Sequence, residues 1–207
     1  MARSVINIAV IGIQQWSRLV PKLSELCDVK MGYTLRGRLE ADPEGEYRFL
    51  QPRAISSDLK IKEEELLRAS LVGKKVDSLL HNKDIVFASR GQTLGAIYLD
   101  HIPPNTIATS YFTIIRPKTD ELDSQYLSWY LNNRLDAYFR KNRVGTAIQQ
   151  ISVNVLRECP IEVLDIDQQR KLLELEHLIQ KELELLSRLG KCKVNLIKAV
   201  QHQIFNG

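Results

Sequence analysis

Three short stretches set arginine and glutamine beside glycine in the manner a nucleic-acid reader needs. MGYTLRGRLE carries Arg36 and Arg38 on either side of Gly37. FASRGQTLG carries Ser89, Arg90, Gln92 and Thr93 around Gly91. KNRVGTAIQQIS carries Arg143, Thr146, Gln149 and Gln150 around Gly145. Arginine offers parallel N–H donors that match two acceptors on guanine, and the glutamine amide offers a donor and an acceptor that match adenine. Serine, threonine and lysine more often hold phosphates and set the register of a protein on the duplex. Taken singly, each of these side chains also reads as a solvated loop residue. Their recurrence in three loops is what points to nucleic acid.

Catalytic patterns are harder to find. His81, His101, His177 and His202 are scattered, and none has the spacing of a metal ligand pair. There is no phosphate-binding P-loop, and GQTLG and VGTA read as turns. Neither a glycine-rich cofactor motif nor the Pro-Pro-aromatic motif of amino-group methyltransferases is found, nor an acidic nuclease cluster with a lysine. The expectation is a protein that is not an enzyme and holds no cofactor or metal. A hydrolase with an unfamiliar site is the minor alternative.

Charge agrees with an anionic partner. The 207 residues carry a net charge of +4. Residues 1–160 hold 22 Lys/Arg against 18 Asp/Glu, whereas residues 161–207 hold seven of each. The excess therefore lies in the part that bears the three loops. A hydrophobic fraction of 44% with 26% charged residues suits a soluble globule with ample core. Cys27, Cys159 and Cys192 form no local pattern, and an odd count suits a reducing, cytoplasmic setting. The opening MARSVINIAVIGI is too short to span a membrane and reads as a buried strand.

The elements that must position the loops follow from periodicity. A short structured piece is expected near residues 23–30, a strand near 47–50 and a short helix over 63–72. DIVFASR (84–90) and TLGAIYL (93–99), separated by Gly91 and Gln92, predict a tight hairpin. TIATSYFTIIR (106–116) predicts one further strand. DSQYLSWYLNNRLDAYFRKN (123–142) predicts one amphipathic helix capped by Asp123 or Ser124, and Ser152 caps a short helix over 152–159. Ile161 and Val163 alternate with Glu162 as in a half-buried strand.

From Gln168 the grammar changes to a long, proline-free helix, with Asp165 and Gln168 spaced as a capping box. Leu172, Leu175, Ile179, Leu186 and Leu189 recur at spacings of three, four, seven and three, a coiled-coil seam. Lys193 interrupts it, and Leu196, Val200 and Ile204 restore it with a drift. One reading pairs this seam with another helix. The other folds the segment back on the globule as two helices broken at Gly190. The division expected is α+β: a mixed, strand-rich unit over 1–164 and a coiled-coil-like helix over 165–207. From the residues alone, a DNA-binding protein and a scaffold that joins other proteins both remain open.

The succession WSRLVPKLSELCDVKMGYT, YRFLQPRAIS, LLHNKDIVFASRGQTLGAIYL, ATSYFTIIRPKTDELDSQYLSWYLNN and VGTAIQQISVNVLRECPIEVLDIDQQRKL resembles, piece by piece and in order, the target-recognition domain of the DNA specificity subunit of Type I restriction-modification enzymes. LIKAVQHQIFNG resembles the close of that family's spacer helix, so the likeness runs over residues 16–207. One departure is IEVLDIDQQ, which lacks the prolines the family commonly has before this helix. A full subunit has two recognition domains and two spacers, and this sequence shows one of each. The resemblance implies a half-subunit in which 1–164 recognises double-stranded DNA and 165–207 serves as spacer and dimerisation helix. It implies a homodimer held through Leu172, Leu175, Ile179, Leu186, Leu189, Leu196 and Val200, on a site of two inverted half-sites. It also implies adenine methyltransferase subunits, and in some assemblies a restriction subunit, as partners.

Overall fold

The computed structural model describes residues 20–206 apart from 36, 38, 72–76, 92 and 146–148. The opening strand expected within residues 1–13 lies outside the described residues. The chain divides into two compact units, Met1–Leu164 and Asp165–Gly207. Among the described residues no helix is long and apolar enough to cross a membrane.

The first unit is α+β, built on an antiparallel sheet of four strands. A one-turn helix α1 (Leu23–Leu26) leads into β1 (Cys27–Met31), which pairs with β8 (Phe112–Pro117); β8 pairs with β4 (Ile85–Ala88), and β4 with β6 (Gly95–Tyr98). All four residues of β4 are buried, as expected of a strand with neighbours on both sides and covered faces. Val86 and Ala88 join Ile97, Phe112 and Ile114 in the main core cluster. Phe87, on the opposite face, packs on Phe139 with ring centroids 5.2 Å apart. At the mouth of β4, Asp84 is only 2% exposed, and its charge is met in full. Arg116 on β8 donates to its two oxygens at 2.6 Å each, and the His81 backbone N–H donates at 2.8 Å. A buried carboxylate survives only with such partners.

A smaller sheet contains β3 (Leu67–Ala69), β2 (Tyr47–Leu50) and β7 (Thr106–Ala108), with β7 parallel to β2. The expected single strand over 106–116 is therefore two. The chain leaves the smaller sheet at Ala108, turns at Ser110–Tyr111 and enters the larger sheet at Phe112. Both halves are β-branched and apolar, so composition cannot show the corner. Gly32 sits at this junction, where a Cβ would meet the Thr109 carbonyl oxygen at 2.3 Å. The two backbones meet there by hydrogen bonds from Gly32 N–H to Phe112 O and from Tyr33 N–H to Ala108 O.

Three other expectations are corrected. The short helix expected over 63–72 is not found among its described residues, 63–71: a 3-10 turn (Glu63–Glu65) gives way to β3, whose pairing with β2 outweighs helix propensity. The helix over 123–142 is two, α2 (Ser124–Asn133) and α3 (Asp136–Asn142), parted at Arg134–Leu135. Asp123 caps α2 by accepting from the Gln125 and Tyr126 N–H groups. Asn132 and Asn133 end it because their amides are drawn to backbone. Asn133 donates to Trp129 O, and Asn132 both accepts from Ala96 N–H and donates to Ala96 O at 2.8 Å. Asn132 thereby acts as a stub of strand along the open edge of β6. Finally, 161–163 is not a strand; its neighbour Pro160 makes a single bridge to Lys22, with Ile161 buried and Val163 exposed. The expected helix over 152–159 is α4 (Val153–Arg157), capped by the Ser152 hydroxyl at 3.2 Å from Val155 N–H.

The second unit is one helix, α5 (Ile166–Asn206), of 41 residues and about 60 Å. Asp165 Oδ1 accepts from Gln168 N–H at 2.9 Å, closing the first turn. The helix passes through Gly190 without a break, so the alternative of two shorter helices is overturned.

Candidate nucleic-acid interface

The hairpin of β4 and β6 is present, but its ladder ends at Ala88 and Gly95, so its turn is wider than two residues. Arg90 and Gly91 leave the hairpin to form β5, which pairs with β9 (Gln149–Gln150), Arg90 opposite Gln150 and Gly91 opposite Gln149. Gly91 has φ +133, a conformation that side chains seldom allow, and this frees the chain to swing away. Val144 and Gln150 bridge by two backbone hydrogen bonds, and Ile151 N–H donates to Ser89 O. The second and third arginine-bearing loops, distant in sequence, thus become one two-stranded ribbon.

Side chains on the ribbon are coupled. Arg90 Nε and Nη2 both donate to Gln150 Oε1, at 3.2 and 3.0 Å. Arg143 Nη1 donates to Gln149 Oε1 at 3.0 Å. Among the described residues neither arginine meets a carboxylate, so each keeps an uncompensated positive charge on the ribbon. Arg140, by contrast, is neutralised by Asp136 one turn away at 2.6 Å. Beside the ribbon lies a cleft of about 310 Å³ floored by Phe87, Leu131 and Phe139 and rimmed by Thr93, Arg143 and Gln149.

Ser89 plays a different part from that expected. It is 8% exposed, and its hydroxyl bonds to Phe87 O and Thr113 Oγ1, so it braces the strand beneath Arg90. Thr93 is exposed on the cleft rim. Arg36, Arg38, Gln92 and Thr146 lie outside the described residues; Leu35 and Leu39, flanking the first loop, pack on the Phe49–Ala69–Ile107 cluster. One residue was not foreseen. Tyr111, 43% exposed at the corner between sheets, lies with its ring centroid 5.7 Å from the Arg90 guanidinium carbon. The signal for it was the adjacent pair Tyr111–Phe112, because neighbours on an extended chain face opposite ways and both aromatics cannot enter one core.

A second surface lies on α5. Leu175, Ile179, Leu186, Leu189, Leu196 and Val200 are each 41–65% exposed, and Leu172 is half-buried. With Leu178, Leu183, Leu185, Val194, Ile197, Ile204 and Phe205 also exposed, the apolar residues cover an arc of about 200° around the helix. That is about twice the stripe a single packing face requires.

Residues 17–204 match the family described as Type I restriction modification DNA specificity domain. No curated protein matches the chain. The fold is similar to that of the S subunit of a Type I restriction-modification system from M. genitalium, at 18% identity and TM-score 0.53, over 91% of this chain and 46% of that one. It is similar to the HsdS subunit from Thermoanaerobacter tengcongensis at 20% identity and TM-score 0.58, over 82% and 39%. A third similar chain, from a structure describing complex assembly and conformational transition of the type I R-M system, has 18% identity and TM-score 0.62, over 88% and 43%. The chain thus spans less than half the length of these solved relatives.

Proposed function

Because the chain belongs to the Type I restriction modification DNA specificity domain family, we propose that it is the sequence-specific DNA-binding component of such a system, one recognition unit with one spacer helix. The observation that carries this reading is the β5–β9 ribbon, where Arg90 and Arg143 are each steadied by a glutamine amide and, among the described residues, neither meets an acid. Arg90, Thr93, Arg143, Gln149 and Gln150 are the DNA-facing set; Gln92 and Thr146 belong to the same two loops, and Arg36 and Arg38 of the first loop complete the proposal. Ser89 braces them from below.

Two copies pair antiparallel through the α5 seam and hold two recognition units apart. Such a pair matches DNA of its own symmetry, two inverted half-sites around an unread gap. Adenine methyltransferase subunits, and in a restriction-competent assembly a nuclease subunit, dock on this framework and supply the chemistry. The breadth of the apolar arc supports this, because one partner helix leaves part of it uncovered. The same breadth favours the second reading, a scaffold that binds proteins and ignores DNA.

Selection from random duplex DNA at near-physiological salt separates the two, using the full chain alone and with a methyltransferase subunit. A split inverted motif is the expected result. A single unsplit motif would keep the DNA reading and remove the pairing. Absence of enrichment in both mixtures would leave the scaffold.

A further inference from the structure

Arg90 is held in a way that leaves one particular edge for a ligand. A guanidinium has two forked edges, Nε with Nη2 and Nη1 with Nη2. Gln150 Oε1 takes the first, accepting from Nε at 3.2 Å and from Nη2 at 3.0 Å. Among the described residues Nη1 has no partner, so the end-on fork retains its donors. The plane of the fork is restrained twice. The β5–β9 register places Gln150 directly across from Arg90, and Tyr111 sits against the guanidinium with its centroid 5.7 Å from Cζ.

Resting on the DNA-recognition reading above, we infer that Arg90 reads a guanine end-on, with Gln150 and Tyr111 as the positioning residues that fix the plane and edge it presents. Two parallel donors match two acceptors side by side. In the major groove only guanine offers that, through O6 and N7; adenine sets a donor beside its N7, and cytosine presents a donor. A phosphate would also accept such a fork. It accepts from any direction, however, and gains little from an arginine locked in one plane, whereas a planar base edge requires it. Restraining the side chain beforehand removes an ordering cost that binding would otherwise bear. Gln150 therefore acts through Arg90, its carbonyl already engaged.

The test is selection from random duplex DNA with the full chain, comparing wild type, Arg90→Ala, Gln150→Ala, Tyr111→Ala and Tyr111→Phe. Wild type should show one guanine preferred roughly ten- to hundredfold over other bases. Arg90→Ala should erase the preference at that position alone. Gln150→Ala and Tyr111→Ala should weaken it there by about three- to tenfold, leaving the rest of the motif unchanged, and Tyr111→Phe should retain it. Loss of affinity in Arg90→Ala equally across all sequences would reassign Arg90 to a phosphate and overturn the inference. So would a guanine preference that survives both Gln150→Ala and Tyr111→Ala. In either case the motif of the wild type stands, and with it the DNA reading. A wild type that enriches nothing removes both.

Discussion

Cys27 and Cys159 are buried, and Cys192 is exposed on α5. Burial pushes the thiols of Cys27 and Cys159 up to about 12, so at neutral pH both keep their protons. A thiol that is covered and protonated is a poor nucleophile. Alkylation of the folded protein at pH 7.5, read by mass spectrometry, should modify Cys192 first, with Cys27 and Cys159 reacting only when denaturant is added; equal labelling of all three would mean that the core is open. At this scale residue types were legible and relationships were not. Arginine and glutamine in glycine-bearing loops could be read directly. That Arg90 would meet Gln150 could not, because the pair is created by a ribbon between distant segments. The burial of Ser89 was equally hidden, because the partner that draws its hydroxyl inward, Thr113, is distant in sequence.

The elements that were legible announce themselves locally. Asp165 and Ser152 mark their helix starts by side-chain acceptance of a backbone N–H, and the leucine spacing of α5 gives its period. Where the outcome depended on a distant neighbour, local pattern failed. The apolar period of 123–142 runs straight through the break at Arg134–Leu135, where the Asn132 and Asn133 amides are drawn to backbone, Asn132 to the distant edge of β6. The corner at Ser110–Tyr111 is equally silent, since each half of 106–117 suits a sheet and nothing nearby says there are two. The α5 seam yields a direct expectation. Leu175→Glu with Leu186→Glu removes two apolar side chains per copy from a paired seam, each worth about 1.5–3 kcal/mol when buried, and places like charges there. The double variant should sediment as a monomer with its helix content unchanged; a dimer of undiminished affinity would rule out this face as the contact.

Across the whole molecule the charge is uneven, with the surplus of basic residues ahead of α5 and a neutral balance within 161–207. Binding that draws on that surplus releases counterions from the phosphates, at a slope of about 0.9 in log–log terms for each phosphate neutralised. If each copy of a pair neutralises two phosphates, affinity for the selected site should fall with a slope of roughly −4 between 50 and 200 mM salt. A titration by fluorescence anisotropy measures this directly. A flat response would mean that the basic surplus does not face the ligand.

The β5–β9 ribbon bears also on how such a reader can change what it reads. Its two strands come from the hairpin after β4 and from the segment after α3, and each arginine leans on a glutamine of the ribbon's later strand. Transplanting either stretch alone into a relative would part Arg90 from Gln150, whereas Arg143 and Gln149 would travel together. On the reading of Arg90 proposed above, specificity is therefore not carried by either loop alone. An exchange that preserves it must cross over outside residues 89–151, moving both loops together with the strand corner and helices that lie between them.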